Sequence, residues 1–149
     1  MTERIADSQQ LAEACVELML DNDAAARSLG VKVLSVAPGQ ATLSMRVSRE
    51  MTNSHLNCHG GVIFTLADVG FAYACNNANK MTVASGCTIE YMAPAAIGDT
   101  LTATVIERSR SGRTGVYDAD ITNQRDELVA VFRGKSYQIR GEVIPQPGE

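Results

Sequence analysis

A run of fourteen almost wholly apolar residues, Val62 to Cys75, constrains the fold of this chain more than any other feature. The run is too short to span a bilayer, which takes about 20 residues, and too long for a typical strand of about 4–8 residues. A helix that is apolar on every side is typically buried. The run therefore predicts one helix that the other elements enclose.

Asp68 is the one charged residue of that predicted helix. An ionised carboxylate is costly in apolar surroundings unless it is paired, solvated by a cleft or used in chemistry. A lone carboxylate of this kind more often marks a functional site. Hydrogen bonds from loop amides would instead make it a buried structural acid, and the residues alone leave both interpretations open.

Two glycines, Gly60 and Gly61, stand where the helix begins. A helix N-terminus carries unpaired amide N–H groups and about half a positive charge. Because glycine leaves the backbone bare, a ligand oxygen can reach these amides, which suits a site that stabilises an oxyanion. Close packing, or the binding of a phosphate, would explain the same glycines.

The rest of the chain is organised mainly as strands. Valine-rich and alternating segments predict six of them, at 31–37, 40–47, 82–92, 100–108, 113–122 and 127–139. Because the turns between the last four are short, the sheet is expected to be mainly antiparallel. One apolar helix and one sheet pack best when the sheet curls around the helix, which predicts an α+β fold. One curved sheet leaves a face of the helix uncovered, and this predicts an oligomer.

The length of 149 residues predicts a single domain, 1–149, with a helical segment at 1–30 and a frayed tail at 141–149. In the helical segment, Asp23 is placed to cap a short second turn, and Gly30 to end it. Helically spaced apolar residues predict an amphipathic helix before that turn, at Leu11, Cys15, Leu18 and Met19.

Composition excludes several classes of protein. A net charge of −4 argues against nonspecific binding of nucleic acid. No segment is long enough to cross a membrane, and no signal peptide is recognisable, so no membrane partner is expected. The four cysteines form no CxxC pair, which is typical of reduced thiols in a cytoplasmic protein.

Several segments together carry a family resemblance. The helix segment HGGVIFTLADVGFAYACN is followed by VASGCTIEYMAP, GDTLTATV, RTGVYDADITNQ and FRGKSYQI. Over about residues 29–140, these resemble the hotdog-fold acyl-CoA thioesterases, and most closely the phenylacetic-acid-degradation (PaaI-like) family. The resemblance implies a hotdog fold and hydrolysis of aryl-acetyl-CoA, of the phenylacetyl- or hydroxyphenylacetyl-CoA type. It implies no metal or redox cofactor, because water is the second substrate.

Two other functions remain open beside that resemblance. One is a hotdog dehydratase acting on hydroxyacyl thioesters, but those relatives enter the helix through a proline-rich loop, and no proline precedes the helix closely here. The other is a non-catalytic protein that binds acyl-CoA.

The resemblance also implies roles for individual residues. Gly60 N–H and the Asn53 side chain would stabilise the oxyanion, and Asp68 would act as general base or as nucleophile through a mixed anhydride. His59 and Gly61 would contact the substrate, with His59 orienting the loop by hydrogen bonds rather than acting as acid or base.

Two kinds of ligand group are candidates elsewhere in the sequence. A modest basic excess between residues 105 and 140 suits a phosphorylated small molecule, although a solvated surface explains it almost as well. The residues proposed to bind the CoA phosphates are Arg108, Arg110, Arg113 and Lys135. His55, Cys58 and His59 indicate a zinc site only weakly, because a further ligand pair is missing.

The group that orients the attacking water is an open question in this sequence. Animal members of the family carry a serine on the first strand after the helix, and the corresponding residue here is Ala84. Ser85 is adjacent, but on a regular strand it would face the opposite side of the sheet.

The spacing of Gly60 and Asp68 predicts a shared site. Eight residues of helix separate them by about 12 Å, at 1.5 Å per residue. One thioester carbon therefore cannot be close to both residues of one chain. Two antiparallel helices packed across a two-fold axis would bring Gly60 of one chain beside Asp68 of the other. The resemblance extends this dimer to a homotetramer, a dimer of dimers.

The acyl pocket is expected to be compact. The chain has no Trp and only three Phe, and the helix contributes Phe64, Phe71 and Tyr73. Aryl-acetyl groups should therefore be preferred to long fatty acyl chains.

Overall fold

The computed structural model describes residues 2–145, with side chains from residue 7 onward. The described residues contain three α-helices, in chain order α1 (Thr2–Asn22), α2 (Ala24–Ser28) and α3 (Gly60–Asn76). A 3-10 turn, Arg49–Met51, lies between the second strand and α3. The six strands are β1 (Lys32–Ala37), β2 (Gln40–Arg46), β3 (Thr82–Tyr91), β4 (Thr100–Ser111), β5 (Thr114–Thr122) and β6 (Leu128–Gln138).

The strands form one antiparallel sheet in the order β1-β2-β4-β5-β6-β3. Consecutive strands are joined by tight turns at two places, and Gly39 adopts a positive φ of 74° in the first of them. Strand β3, which directly follows α3, crosses to the far edge and pairs only with β6. The α+β prediction of a mainly antiparallel curved sheet with one long helix is confirmed, and so are its six strands.

Helix α3 lies in the core, against the concave face of the sheet. Its residues Leu66, Phe71 and Tyr73 are almost completely inaccessible to solvent. The helix approaches β4 so closely that a Cβ added at Gly70 would lie 2.8 Å from a methyl carbon of Val105. Glycine at position 70 is therefore a packing requirement, although glycine in a helix interior costs about 1 kcal/mol relative to alanine.

One stripe of α3 is not covered by the sheet. Gly61 is exposed, and Thr65, Asp68 and Ala72 are partly exposed, whereas most other residues from Ile63 onward are buried. Their spacing of three or four residues places all four on one side of the helix. The predicted uncovered face therefore exists, and we call these four residues the open stripe.

A hydrogen bond links the N-terminal helical segment to α3. Asp23 caps α2 by accepting a hydrogen bond from Ala26 N at 3.0 Å, as the sequence predicts, and also accepts one from Tyr73 Oη at 2.9 Å. The predicted apolar face of α1 is wrong in one respect, because Leu11 is exposed. The buried residues on that face are Ala12, Cys15 and Val16.

The tail 141–149 lies partly outside the described residues. Its described part, 141–145, contains no helix or strand, and Ile144 N donates a hydrogen bond to Asn79 Oδ1 at 2.7 Å. Among the described helices, none is both long and apolar enough to cross a membrane.

Candidate active site

Asn53 organises the loop that leads into α3. Its side-chain Oδ1 accepts hydrogen bonds from the backbone N–H groups of His55, at 2.9 Å, and Asn57, at 3.2 Å. Because Oδ1 is occupied by the loop, the amide group Nδ2 is the part of the side chain left for a ligand. Within the described residues, Nδ2 has no hydrogen-bond acceptor. The loop therefore holds a side-chain donor in place without using it.

Gly60 is the first residue of α3, and its N–H group has no acceptor in the described part of the chain. The preceding residue, His59, positions the helix start through its backbone. Its N–H donates to Met51 O at 2.7 Å, and its carbonyl accepts from Val62 N at 2.9 Å. The His59 imidazole is exposed and does not cap the helix. The loop-orienting role expected of this imidazole is therefore performed by the main chain.

Tyr91, at the end of β3, packs against the first turn of α3 and was missed by the sequence analysis. Its hydroxyl donates to Gly60 O at 2.7 Å, and a Cβ at position 60 would lie 3.0 Å from both Cζ and Oη of the phenol. The ring is still half exposed. In the sequence, an aromatic residue at a strand end has too many structural uses to indicate this contact.

These groups surround one cleft of about 350 Å³ between the loop, the first turn of α3 and the segment after β3. Its lining includes Asn53, Gly60, Ile63 and Tyr91. The cleft therefore combines one side-chain amide with the unpaired amide at a helix N-terminus. Such paired donors can stabilise negative charge on a carbonyl oxygen.

Asp68 lies on the open stripe, away from this cleft. Its carboxylate has no hydrogen bond or ion pair among the described residues, so the alternative of a structural acid held by loop amides finds no support. Burial, and then the nearby Asp23 carboxylate, raise the pKa of Asp68 above its ordinary value. Asp68 in turn adds to the effect of burial in raising the pKa of the Cys87 thiol on β3. The carboxylate is thus desolvated, unpaired and next to an edge strand.

Within one chain, the predicted site residues form two groups. Asn53 and Gly60 share the cleft, with the neighbouring Gly61 exposed beside them. Asp68 lies eight residues further along α3, about 12 Å along its axis. A single chain therefore does not bring the proposed base to the proposed oxyanion donors.

The four basic residues proposed for CoA differ in the groups that they contact. Arg108 lies 3.5 Å from Asp118 on the outer face of the sheet, where Arg133, absent from the prediction, makes two shorter contacts of 2.7 and 2.9 Å with the same carboxylate. Arg110 lies 3.8 Å from Glu107, which also accepts a hydrogen bond from the core residue Tyr117.

The other two basic residues are placed differently again. Arg113 is in the turn between β4 and β5, and Lys135 lines an outer cavity of about 230 Å³ together with Ser85 and three further hydroxyl-bearing residues of β4 and β5. Ser85 donates to Lys135 O at 3.2 Å. The expectation that Ser85 faces away from the helix is therefore confirmed, although a bulge interrupts the strand between Ala84 and Gly86.

The aromatic residues expected near the acyl pocket are mainly core residues. Phe71 and Tyr73 are buried, which contradicts a direct role for them in a ligand pocket. Phe64 is partly exposed and packs edge-on against Phe132, with ring centroids 5.4 Å apart. In the described part of the chain, no three His, Cys, Asp or Glu side chains are grouped as a metal site would need.

The chain is similar to known proteins over most of its length. The family model of the thioesterase superfamily matches residues 55–130. The acyl-coenzyme A thioesterase PaaI of Escherichia coli is 49% identical, over 84% of this chain and 89% of that protein. A putative esterase of Archaeoglobus fulgidus is 32% identical, over 94% of this chain and 91% of the relative.

Solved structures of thioesterase relatives are also similar to this chain. The structure of the E. coli PaaI protein superimposes with a TM-score of 0.89 at 46% identity, covering 90% of this chain and 97% of that one. A hypothetical thioesterase of Streptococcus pneumoniae, crystallised with coenzyme A, has a TM-score of 0.77 at 25% identity, and covers 83% of this chain and 98% of its own.

Proposed function

The chain belongs to the thioesterase superfamily and is a thioester hydrolase, and from this premise we propose that it hydrolyses aryl-acetyl-CoA to the free acid and CoA. The observation that carries the proposal is the cleft in which the Asn53 amide and the Gly60 N–H are both left without acceptors among the described residues. Phenylacetyl-CoA and its ring-hydroxylated forms are the proposed substrates, in line with similarity to the PaaI protein of the E. coli phenylacetic acid degradation operon.

The two amides would act on the thioester carbonyl oxygen. As a nucleophile attacks the carbonyl carbon, negative charge develops on that oxygen, and donors already fixed in place stabilise it without reorganisation. Asn53 is fixed through its own Oδ1, and Gly60 through the helix start. The hydrogen bond from Tyr91 and the packing of its ring help to hold the first turn.

Asp68 supplies the other half of the chemistry. As general base, its carboxylate would take a proton from water while the water oxygen bonds to the thioester carbon. The carbon–sulfur bond then breaks, and the CoA sulfur leaves with the electron pair and takes up the proton. As nucleophile, the same carboxylate would instead bond to the thioester carbon and displace the CoA thiolate, and water would then hydrolyse the mixed anhydride to the free acid and the regenerated Asp68 carboxylate. Its raised pKa and its lack of a partner in the described part of the chain suit the first role, because a more basic carboxylate accepts a proton more readily.

A second copy of the chain would complete the site. The open stripe carries Asp68 and remains uncovered in one chain, while the cleft holding Gly60 lies about 12 Å away along the same helix. Antiparallel packing of two α3 helices across a two-fold axis would place Asp68 of one chain at the cleft of the other. We therefore propose a homodimer as the smallest active unit, and a dimer of dimers as the assembly.

The proposal is tested by measuring thiol release from a panel of acyl-CoAs. Phenylacetyl-CoA or a hydroxyphenylacetyl-CoA should give a higher kcat/KM than palmitoyl-CoA. The same panel should include a hydroxyacyl-CoA, assayed for loss of water as well as thiol release. A higher kcat/KM for palmitoyl-CoA would overturn the aryl-acetyl assignment, and saturable binding without thiol release would show an acyl-CoA-binding protein instead.

A further inference from the structure

The open stripe carries a second polar side chain beside Asp68. Thr65 precedes Asp68 by three residues and is likewise only partly buried. Residues three apart on a helix have Cβ atoms about 5–6 Å from each other. Helical side chains also lean toward the N-terminus, so Asp68 is directed toward the turn that contains Thr65. Side chains that are neighbours in this way can both contact one water molecule.

The hydrogen bond that Thr65 already makes determines whether its hydroxyl can donate to a water molecule or accept from one. The hydroxyl donates its proton to Gly61 O, one turn earlier, at 2.9 Å. Its lone pairs then remain as acceptors. Asp68, when ionised, is also an acceptor and has no partner in the described part of the chain. A water molecule between them would therefore donate one hydrogen to each and leave its own lone pair free.

The hydroxyls of the neighbouring part of β3 lie on the outer face of the sheet. Ala84 has no hydroxyl, Ser85 lines an outer cavity with Lys135, and Thr88 lines another with Asp118 and Arg133. Among the described residues of α3 and β3, Thr65 is thus the hydroxyl that shares a face with Asp68. Thr65 is therefore placed to contact the attacking water, which Ala84 cannot bind because it has no hydroxyl.

We infer that Thr65 binds and orients the attacking water together with Asp68. This inference rests on the proposed role of Asp68 as general base. When the water oxygen bonds to the thioester carbon, one water proton passes to the Asp68 carboxylate, and the other stays hydrogen-bonded to Thr65 Oγ1. The carbon–sulfur bond breaks, its electron pair leaves with the CoA sulfur, and Asp68 returns its proton to that sulfur.

The test compares two substitutions at one position. Thr65→Val keeps the shape and removes the hydroxyl, whereas Thr65→Ser keeps the hydroxyl and removes a methyl group. We expect kcat to fall by about 10–100-fold in the valine variant, with KM within about 3-fold of wild type, because a lost water contact affects the chemical step rather than binding. The serine variant should recover to within about 3-fold of wild type.

Controls separate this inference from structural effects and from the proposed function itself. Melting temperatures of all variants are measured on the same samples, and Thr65→Ala replaces the valine variant if that variant fails to fold. The inference is overturned if the folded variant that lacks the hydroxyl, whether Thr65→Val or Thr65→Ala, turns over within about 2-fold of wild type while Asp68→Asn is inactive. If Asp68→Asn instead keeps wild-type turnover, the assignment of the base has failed, whatever the result at Thr65.

Discussion

The start of α3 and the open stripe differ in how many contacts within one chain hold their candidate site residues. At the start of α3, the donors are fixed by several contacts: Asn53 by its loop, and Gly60 by the helix start and Tyr91. On the open stripe, Asp68 has no partner in the described part of the chain and is partly desolvated. The donors at the start of α3 are thus held in place within one chain. On the open stripe, by contrast, an uncovered helix face carries a carboxylate that is unpaired among the described residues.

This difference matches the roles proposed for the two groups. Hydrogen-bond donors stabilise a transition state best when they are already oriented, so they are held rigidly. A general base needs a carboxylate that is free to accept a proton, and burial raises the pKa of Asp68 above its ordinary value. The same fold thus holds donors by hydrogen bonds and keeps a carboxylate free of them.

The largest effect is expected from Asp68→Asn, which keeps the shape of the side chain and removes its basicity. Turnover should fall by at least about 10²-fold. The melting temperature should stay equal or rise, because an unpaired, partly buried charge has been removed. Asp120→Asn is the matched control, because Asp120 is exposed on β5 and has no proposed part in the reaction. Turnover and melting temperature are measured on the same samples.

A destabilised Asp68→Asn variant whose activity follows its folded fraction would contradict this account. Such a result would restore the interpretation of Asp68 as a structural acid, for which about 1–3 kcal/mol of stability would be lost.

Asn53→Asp tests the rigid region in isolation. The substituted carboxylate keeps an oxygen for the amides of His55 and Asn57, so the loop should stay folded. It lacks the N–H donor and places negative charge near the oxyanion. We expect kcat to fall by about 10²-fold, as on loss of an oxyanion donor. Wild-type kcat in a folded variant would remove Asn53 from the mechanism.

Gly60→Ala should have a smaller effect, through Tyr91. The new Cβ would lie 3.0 Å from the phenol carbon and oxygen, so the half-exposed ring must move and its hydrogen bond to Gly60 O weaken. We expect a loss of about 10-fold in kcat/KM, about 1.4 kcal/mol in transition-state stabilisation. Removing the ring as well, by Tyr91→Ala, should relieve the clash. Simple additivity of the two substitutions in a double-mutant cycle would contradict this coupling.

The smallest effect concerns stability and pH. Burial raises the pKa of Asp68 in the folded chain, so its protonated form favours folding. That contribution is fully present below the unfolded pKa of about 3.9 and is lost as the pH rises through the folded pKa. Asp68→Asn removes this dependence. The variant should therefore gain more in melting temperature over wild type at pH 7 than at pH 4, and an equal gain at both would contradict a raised pKa.

Sequence periodicity was sufficient to predict the helix and strands that make up the fold. The apolar run predicted α3, and alternation located all six strands, because burial on one side imposes a repeat of two. It could not show that β3 crosses to the far edge of the sheet, since strand order depends on packing between distant segments. It also could not show which basic residues share a surface. Arg108 and Arg110 are close in sequence but bind different carboxylates.

Contacts within the site were harder to predict than its main residues. The motif around Gly60 and Asp68 identified where chemistry was to be expected, but Tyr91 reaches Gly60 from a strand 31 residues later. Phe71 and Tyr73 contributed to the expectation of a compact acyl pocket, and the structure places both in the core. Residue type alone does not distinguish a pocket from a core when both are apolar.

The central claim is that the rigid donors of one chain act with the unpaired carboxylate of another, and subunit mixing tests it most directly. Heterodimers are prepared from one chain carrying Asn53→Asp and one carrying Asp68→Asn, each folded and inactive alone. If the site is shared across a two-fold axis, the heterodimer has one intact site and one doubly altered site. It should then show about half of the wild-type activity, whereas no recovery from folded heterodimers would contradict a site built from two chains.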